Sequence, residues 1–190
     1  MALCDENQAL LDYLRQNKQL WHILKTLPEL PCNAWLAAGS IMETVWNLQA
    51  KFPADRGIRD YDLIYCDPGD LSWEAEDRLI QHGRRLWPNL EIEIRNQSRV
   101  HLWYPERFHI AIEPLTSITQ AMLLWPATCH AIAVKLVGEE LEVIAPWGLE
   151  DLWQGIARPN PACPDTQAFQ KKVQRWTLLW DLTVCYNLKN

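Results

Sequence analysis

The sequence predicts an α/β (α+β) fold in which a mixed central sheet is flanked by helices. Three observations predict it. A short apolar run at residues 33–38 is followed at once by Gly39-Ser40 and helical spacing. The stretch Asp60-Tyr61-Asp62-Leu63-Ile64-Tyr65-Cys66 opens by alternating acidic with apolar side chains. Leu90-Glu91-Ile92-Glu93-Ile94-Arg95 alternates strictly. Period-two segments separated by helix-period segments are the pattern of a sheet covered by helices.

Taken in order, residues 5–27 have Leu10, Leu14, Trp21 and Leu24 along one helical face, with Asp5 placed as N-cap, and Pro28 and Pro31 end the helix. Asn33-Ala34-Trp35-Leu36-Ala37-Ala38 reads as a buried strand. Ile41, Val45 and Leu48 then resume helical spacing, which puts Ser40 at the N-cap position. A strand, a Gly-Ser turn and a helix N-terminus can hold a phosphate, because the first amides are unpaired and glycine admits an anion close to the backbone. A plain capped turn has the same pattern.

The second strand carries the strongest chemical signal. Its two-residue period puts Asp60 and Asp62 on one face and Tyr61 and Leu63 on the other. The α-carbons of such a pair lie roughly 6.6 Å apart, so both carboxylates can converge on one or two Mg²⁺ ions. Asp67-Pro68-Gly69-Asp70 turns the chain, and Asp70 or Ser72 caps a helix reaching about Leu86. In the third strand Ile92 and Ile94 share a face opposite Glu91, Glu93 and Arg95. That polar face is either the wet side of an edge strand or, beside Asp60 and Asp62, the source of a third carboxylate. Such a carboxylate, Glu93 or Glu91, could bind metal and accept a hydroxyl proton.

Residues 96–104 read as a polar loop. Asn96, Gln97, Arg99 and His101 there could bind sugar hydroxyls, phosphate or a base edge, or satisfy the loop's own backbone. Ser117-Ile118-Thr119-Gln120 has the form of a capping box before an apolar helix reaching Trp125. Residues 130–137 and 141–144 form a hairpin around Gly138-Glu139-Glu140. A short helix follows around Asp151-Leu152-Trp153, then a proline strap at 158–164. Asp165 or Thr166 caps a last helix with Phe169, Val173, Trp176 and Trp180 spaced for packing.

With 190 residues, 48% hydrophobic and 22% charged, the chain suits one globular domain, residues 1–190, with a core at about 28–145 and an extension at about 146–190 packed on it. A net charge of −6 argues against a long nucleic-acid track, which needs Lys and Arg to neutralise phosphates. Eleven tryptophans serve packing or base stacking. Six cysteines show no C-x-x-C pair, so free thiols in a reducing cytosol are expected. No apolar run approaches membrane length and the amino terminus has no leader pattern, so a cytoplasmic protein without membrane partners is expected.

The Gly-Ser turn, the D-x-D strand and the later acidic strand together resemble the nucleotidyltransferase superfamily that includes DNA polymerase beta and the aminoglycoside nucleotidyltransferases. A closer resemblance, to a bacterial nucleotidyltransferase-like family of about this size, rests on Trp35-Leu36-Ala37-Ala38-Gly39-Ser40, Val45-Trp46-Asn47, Asp60-Tyr61-Asp62-Leu63, Glu93-Ile94-Arg95-Asn96-Gln97 and Arg99-Val100-His101. Ala145-Pro146-Trp147-Gly148-Leu149-Glu150-Asp151-Leu152 and Arg158-Pro159-Asn160-Pro161 complete it. The resemblance implies a nucleotidyltransferase fold binding a nucleoside triphosphate with Mg²⁺, or Mn²⁺ in its place. Gly39 and Ser40 would hold the terminal phosphates, Asp60 and Asp62 both metals, and Glu93 would complete the catalytic metal site. A nucleoside monophosphate would pass to the hydroxyl of a small-molecule or protein acceptor, releasing pyrophosphate. A catalytically weak nucleotide- or partner-binding relative is the alternative, and a metal-dependent phosphoester hydrolase a third reading. The interval from Gly39-Ser40 to Asp60 is longer than in many superfamily members, which leaves the register of turn against acids to the structure.

Overall fold

A computed structural model describes residues 3–186. The expected first helix is two, α1 (Leu3–Leu14) and α2 (Lys18–Thr26). The break falls at Asn17, whose side chain accepts the Leu20 amide at 3.2 Å and donates to Thr44 Oγ1 at 2.8 Å. A buried Asn that caps one helix while anchoring another cannot also continue the helix before it. Strand β1 (Trp35–Ala37) leads directly into α3 (Gly39–Gln49).

The start of α3 corrects the expected cap. Gly39 is its first residue, Ser40 lies inside the first turn, and the N-cap is Ala38 with φ 61° and ψ −129°. That conformation belongs almost wholly to glycine, and a residue with a Cβ held there stores about 1–3 kcal/mol. The neighbours enforce it: the Ala38 amide donates to Ile132 O at 2.9 Å, and its side chain is buried. Ala38→Gly should therefore raise the unfolding free energy by about 1 kcal/mol, because relief of strain outweighs the added chain entropy; a urea titration that finds it destabilised would show the strain absent.

Next come β2 (Tyr61–Tyr65), α4 (Trp73–Leu86) and β3 (Ile92–Asn96). Ser72, rather than Asp70, caps α4 by accepting the Ala75 amide at 3.2 Å, while Asp70 accepts the Ser72 amide and hydroxyl. The expected polar loop after β3 is a single tight turn followed by α5 (Val100–Phe108). Val100 and Tyr104, four residues apart, give that helix its buried stripe, and Asn96 organises the turn.

Ser117 caps α6 (Ile118–Met122) as expected, accepting the Gln120 amide at 3.2 Å, but the helix ends three residues before Trp125. The hairpin is present as β4 (Ala133–Val137) and β5 (Glu140–Ile144), turned by Gly138 at φ 63°. Then come α7 (Glu150–Trp153), β6 (Ile156–Ala157), α8 (Thr166–Trp176) and β7 (Thr183–Val184). Asp165 caps α8, accepting the Gln167 and Ala168 amides.

The sheet order is β3-β2-β1-β4-β5; β1 is antiparallel to β2 and β4, and β2 is parallel to β3 through the α4 crossover. This is the mixed, helix-flanked sheet that the alternation patterns predict. The largest apolar cluster joins α1, α2, α3 and α8, where Trp46 lies edge-on to Trp176 and Trp180. The Trp46 indole donates to Leu152 O at 2.9 Å and that of Trp180 to Asn47 Oδ1 at 3.0 Å, so these tryptophans serve packing. The five cysteines whose side chains are described are free, and of these Cys129 is fully buried. No helix among the described residues is long and apolar enough to cross a membrane.

Candidate active site

Two neighbouring strands set two of the predicted acids side by side, next to the end of β1. Ala37 of β1 pairs with Asp62 of β2, and Asp62 pairs with Glu93 of β3. Side chains at paired positions point to the same face of a sheet, so Asp62 and Glu93 stand side by side. Asp60 immediately precedes β2, on the same alternation as Asp62, while Tyr61 and Leu63 are buried on the other face. The Ala37–Asp62 pairing also answers the question of register, because the turn into α3 begins at Ala38, the residue directly after β1.

Ala38, Asp62 and Glu93 line a cavity of about 730 Å³, whose other walls come from α4, α5, α6, α8 and the segment around His130. That volume is in the range of small-molecule sites. Its acidic end is electrostatically loaded. Burial, then the charges of Asp60 and Glu93, push the Asp62 carboxyl up to about 7, against the smaller opposing pull of Lys172 and Arg95. Glu43, on α3, is likewise pushed up to about 7 by burial, although Arg175 reaches it at 3.0 Å.

Glu93 is engaged by Arg95 at 2.8 Å, in an ion pair that is about half exposed. Among the described residues no three His, Cys, Asp or Glu side chains close round one point. The donor set nevertheless fits a hard divalent cation, because it offers carboxylate oxygens and a repulsion that a cation would reverse. An exposed pair such as Glu93–Arg95 holds its geometry weakly, so the third carboxylate is easily released.

At the Gly-Ser turn, Gly39 and Ser40 stand outside the cavity lining, as does Asp60, and Ser40 Oγ is buried with no hydrogen-bond partner. A Cβ built on Gly39 would meet its nearest neighbour, Glu43 Oε1, at an ordinary 3.7 Å. Protein packing therefore does not require glycine there.

The other expected nucleotide contacts divide. Asn96 lines the cavity, but its side chain is committed to the protein: Oδ1 accepts the amides of Asp67 and Ser98, both at 3.0 Å, and Nδ2 donates to Asp67 O at 2.9 Å. It clamps the turn after β3, satisfying the backbone there. Gln97 and Arg99 line the cavity, with Arg99 donating to Leu71 O and paired with buried Glu76. His101 stands outside the cavity lining, with Nδ1 buried and unpartnered.

Several cavity residues carry no signal in sequence spacing. Trp73, Trp103, Tyr104, Phe108 and Trp125 form aromatic walls, and Arg107 lies over Trp103 and Phe108. Lys172 enters from α8, its Nζ 3.2 Å from Nε2 of His130. His130 lies between Trp125 and Trp176, with ring centroids at 5.7 and 5.8 Å. Burial, then the charges of Lys172 and Arg175, lower the His130 pKa well below its ordinary value.

The unfolded chain therefore takes up a proton at His130 that the folded chain refuses. Well above about pH 6.5 neither form is protonated and the residue is neutral to stability; between about pH 6.5 and 5.5 this group should cost about 1 kcal/mol. Urea midpoints at pH 6.5 and 5.5 should show wild type losing about that much more than His130→Phe, and equal losses would mean that the imidazole titrates normally in the fold.

A family model described as Nucleotidyltransferase matches residues 27–184. An NMR structure described as revealing a CCA-adding enzyme head domain is 28% identical, with TM-score 0.76, over 95% of this chain and 96% of that one. A CCA-adding enzyme in complex with CTP is 15% identical, with TM-score 0.55, and a tRNA-processing enzyme complex 13% identical, with TM-score 0.53. This chain covers 43% of each of those two, and at such identities the likeness is one of fold. No curated protein matches the sequence.

Proposed function

The chain belongs to the nucleotidyltransferase family, and on that premise we propose that it transfers a nucleoside monophosphate from a nucleoside triphosphate to an acceptor hydroxyl, releasing pyrophosphate. The observation that carries the proposal is the pairing of Asp62 with Glu93 in the wall of a ligand-sized cavity, with Asp60 two residues before Asp62. Asp60 and Asp62 would hold divalent cations, with Glu93 joining them. Bound Mg²⁺, or Mn²⁺, would supply charge neutralisation and Lewis-acid polarisation of the phosphate and acceptor oxygens.

The residues themselves have distinct tasks. Glu93, once released by Arg95, accepts the proton of the acceptor hydroxyl. The acceptor oxygen then attacks the α-phosphorus in line, the α–β bridging bond breaks, and its electron pair leaves with pyrophosphate. Ser40 Oγ and the first amides of α3 receive the terminal phosphates, which gives the buried hydroxyl a partner. The aromatic walls would exclude water and stack the base, and Gln97 and Arg99, which line the same cavity, would contact the nucleotide.

A nucleoside triphosphate donor is supported by the fold shared with an enzyme solved with CTP. The formal charge of −6 favours a small-molecule or protein acceptor over an extended RNA. The test is incubation with each triphosphate, Mg²⁺ and a mixed acceptor pool, following pyrophosphate and the mass of the products. Pyrophosphate appearing together with an acceptor heavier by one nucleotide supports transfer. Pyrophosphate with free nucleoside monophosphate alone would mean a hydrolase, and binding without turnover would mean a catalytically weak relative.

A further inference from the structure

We infer that Lys172 of α8 is the cation that holds the leaving end of the triphosphate, a substrate-positioning role that rests on the transfer reading above. Lys172 lies in the wall of the cavity that contains Asp62 and Glu93, where the charges of Asp62, Glu43 and Asp60 act on it without direct contact. Its ammonium meets Nε2 of His130 at 3.2 Å and lies 5.9 Å from the Trp176 ring centroid. An ammonium has no lone pair, so Nε2 must accept, and the imidazole proton then sits on the unpartnered Nδ1. Among the described residues no carboxylate comes within ion-pair distance of Lys172.

A half-buried cation held by one neutral imidazole keeps two N–H donors for something else. A buried charge is costly without a partner, and a polyphosphate is the anion that the proposed chemistry brings to this cavity. His130 is itself wedged between two tryptophan rings, so it fixes the lysine from a rigid base. Lys172 is thus supplied by the last helix to a site whose acids come from the sheet.

Calorimetric titration of the full chain with Mg²⁺-nucleoside triphosphate, Mg²⁺-tripolyphosphate and nucleoside monophosphate tests the inference. Lys172→Met, which keeps the stem against Trp176, should weaken binding of the triphosphate and of tripolyphosphate roughly 10- to 100-fold, as expected for the loss of one charge-assisted contact. Its affinity for nucleoside monophosphate should stay within about twofold of wild type. Lys172→Arg should recover most of the lost affinity, whereas Lys172→Gln should behave as Met does. Unchanged tripolyphosphate affinity in Lys172→Met, or an equal loss for the monophosphate, would overturn the assignment. Wild type that binds no triphosphate would instead remove the transfer reading itself, so the two failures are distinguishable.

Discussion

Asp62→Asn should lower nucleotide transfer by at least about a thousandfold, roughly 4 kcal/mol of transition-state stabilisation, and Asp60→Asn with Asp62→Asn should abolish it. The amide keeps the shape of the carboxylate and removes the charge that would hold the cations. The loss should come without loss of fold. The folded-state pKa of Asp62 is raised to about 7 from 3.8, so the folded chain binds this proton more readily than the unfolded chain does. In metal-free protein the side chain consequently costs stability as pH rises from about 4 to 7, and the full cost applies above that window. Asp62→Asn should then melt higher than wild type at pH 8 without metal and close to it near pH 4, a comparison that differential scanning calorimetry makes directly. Unchanged turnover in the double variant would refute the assignment of these acids.

Glu76→Ala should be the most destabilising single change near the cavity, costing about 3–5 kcal/mol. Glu76 is buried on α4, where it accepts the Asn96 amide at 2.7 Å and pairs with the Arg99 guanidinium. Its removal strands both partners: a backbone N–H at the end of β3 and a cation that also lies 5.6 Å from the Trp73 ring centroid. Glu76→Gln keeps an acceptor for the amide and should cost about half as much. Replacing both Glu76 and Arg99 with Met should cost less than Glu76→Ala alone, because no charge is left unpaired. A fall of about 10 °C in melting temperature is the expected scale for Glu76→Ala. A loss under about 1 kcal/mol would mean that solvent already screens the pair.

The acid pair was legible in the sequence because its signal is local. Strand alternation alone puts Asp60 and Asp62 opposite Tyr61 and Leu63, and the two apolar residues are buried as that pattern requires. The strict alternation at 90–95 likewise identified β3, with Ile94 buried and Glu93 exposed. What alternation cannot supply is which residue of β3 faces which residue of β2; the α4 crossover sets that, and it brings Glu93 rather than Glu91 beside Asp62.

Other features were hidden for related reasons. The Gly-Ser turn was visible, but the strained cap at Ala38 was not, since nothing in an Ala-Ala-Gly-Ser string announces a positive φ at its second alanine. The polar stretch after β3 read as a loop because Asn96, Gln97 and Ser98 dominate it, whereas the spacing of Val100, Tyr104 and Phe108 was the available helix signal. Asn17 could likewise have been read as an N-cap breaking the first helix. Lys172 and His130 are 42 residues apart and meet only through packing of α8, so no local motif contains them.

The central claim, that Asp60, Asp62 and Glu93 share cations beside the start of α3, is tested most directly by anomalous diffraction from crystals grown with Mn²⁺ and a non-hydrolysable triphosphate. Manganese peaks bridging Asp60 and Asp62, with Glu93 turned from Arg95 toward one of them and the terminal phosphates at Gly39 and Ser40, are the predicted result. Manganese bound elsewhere, or a triphosphate seated away from these acids, would contradict it.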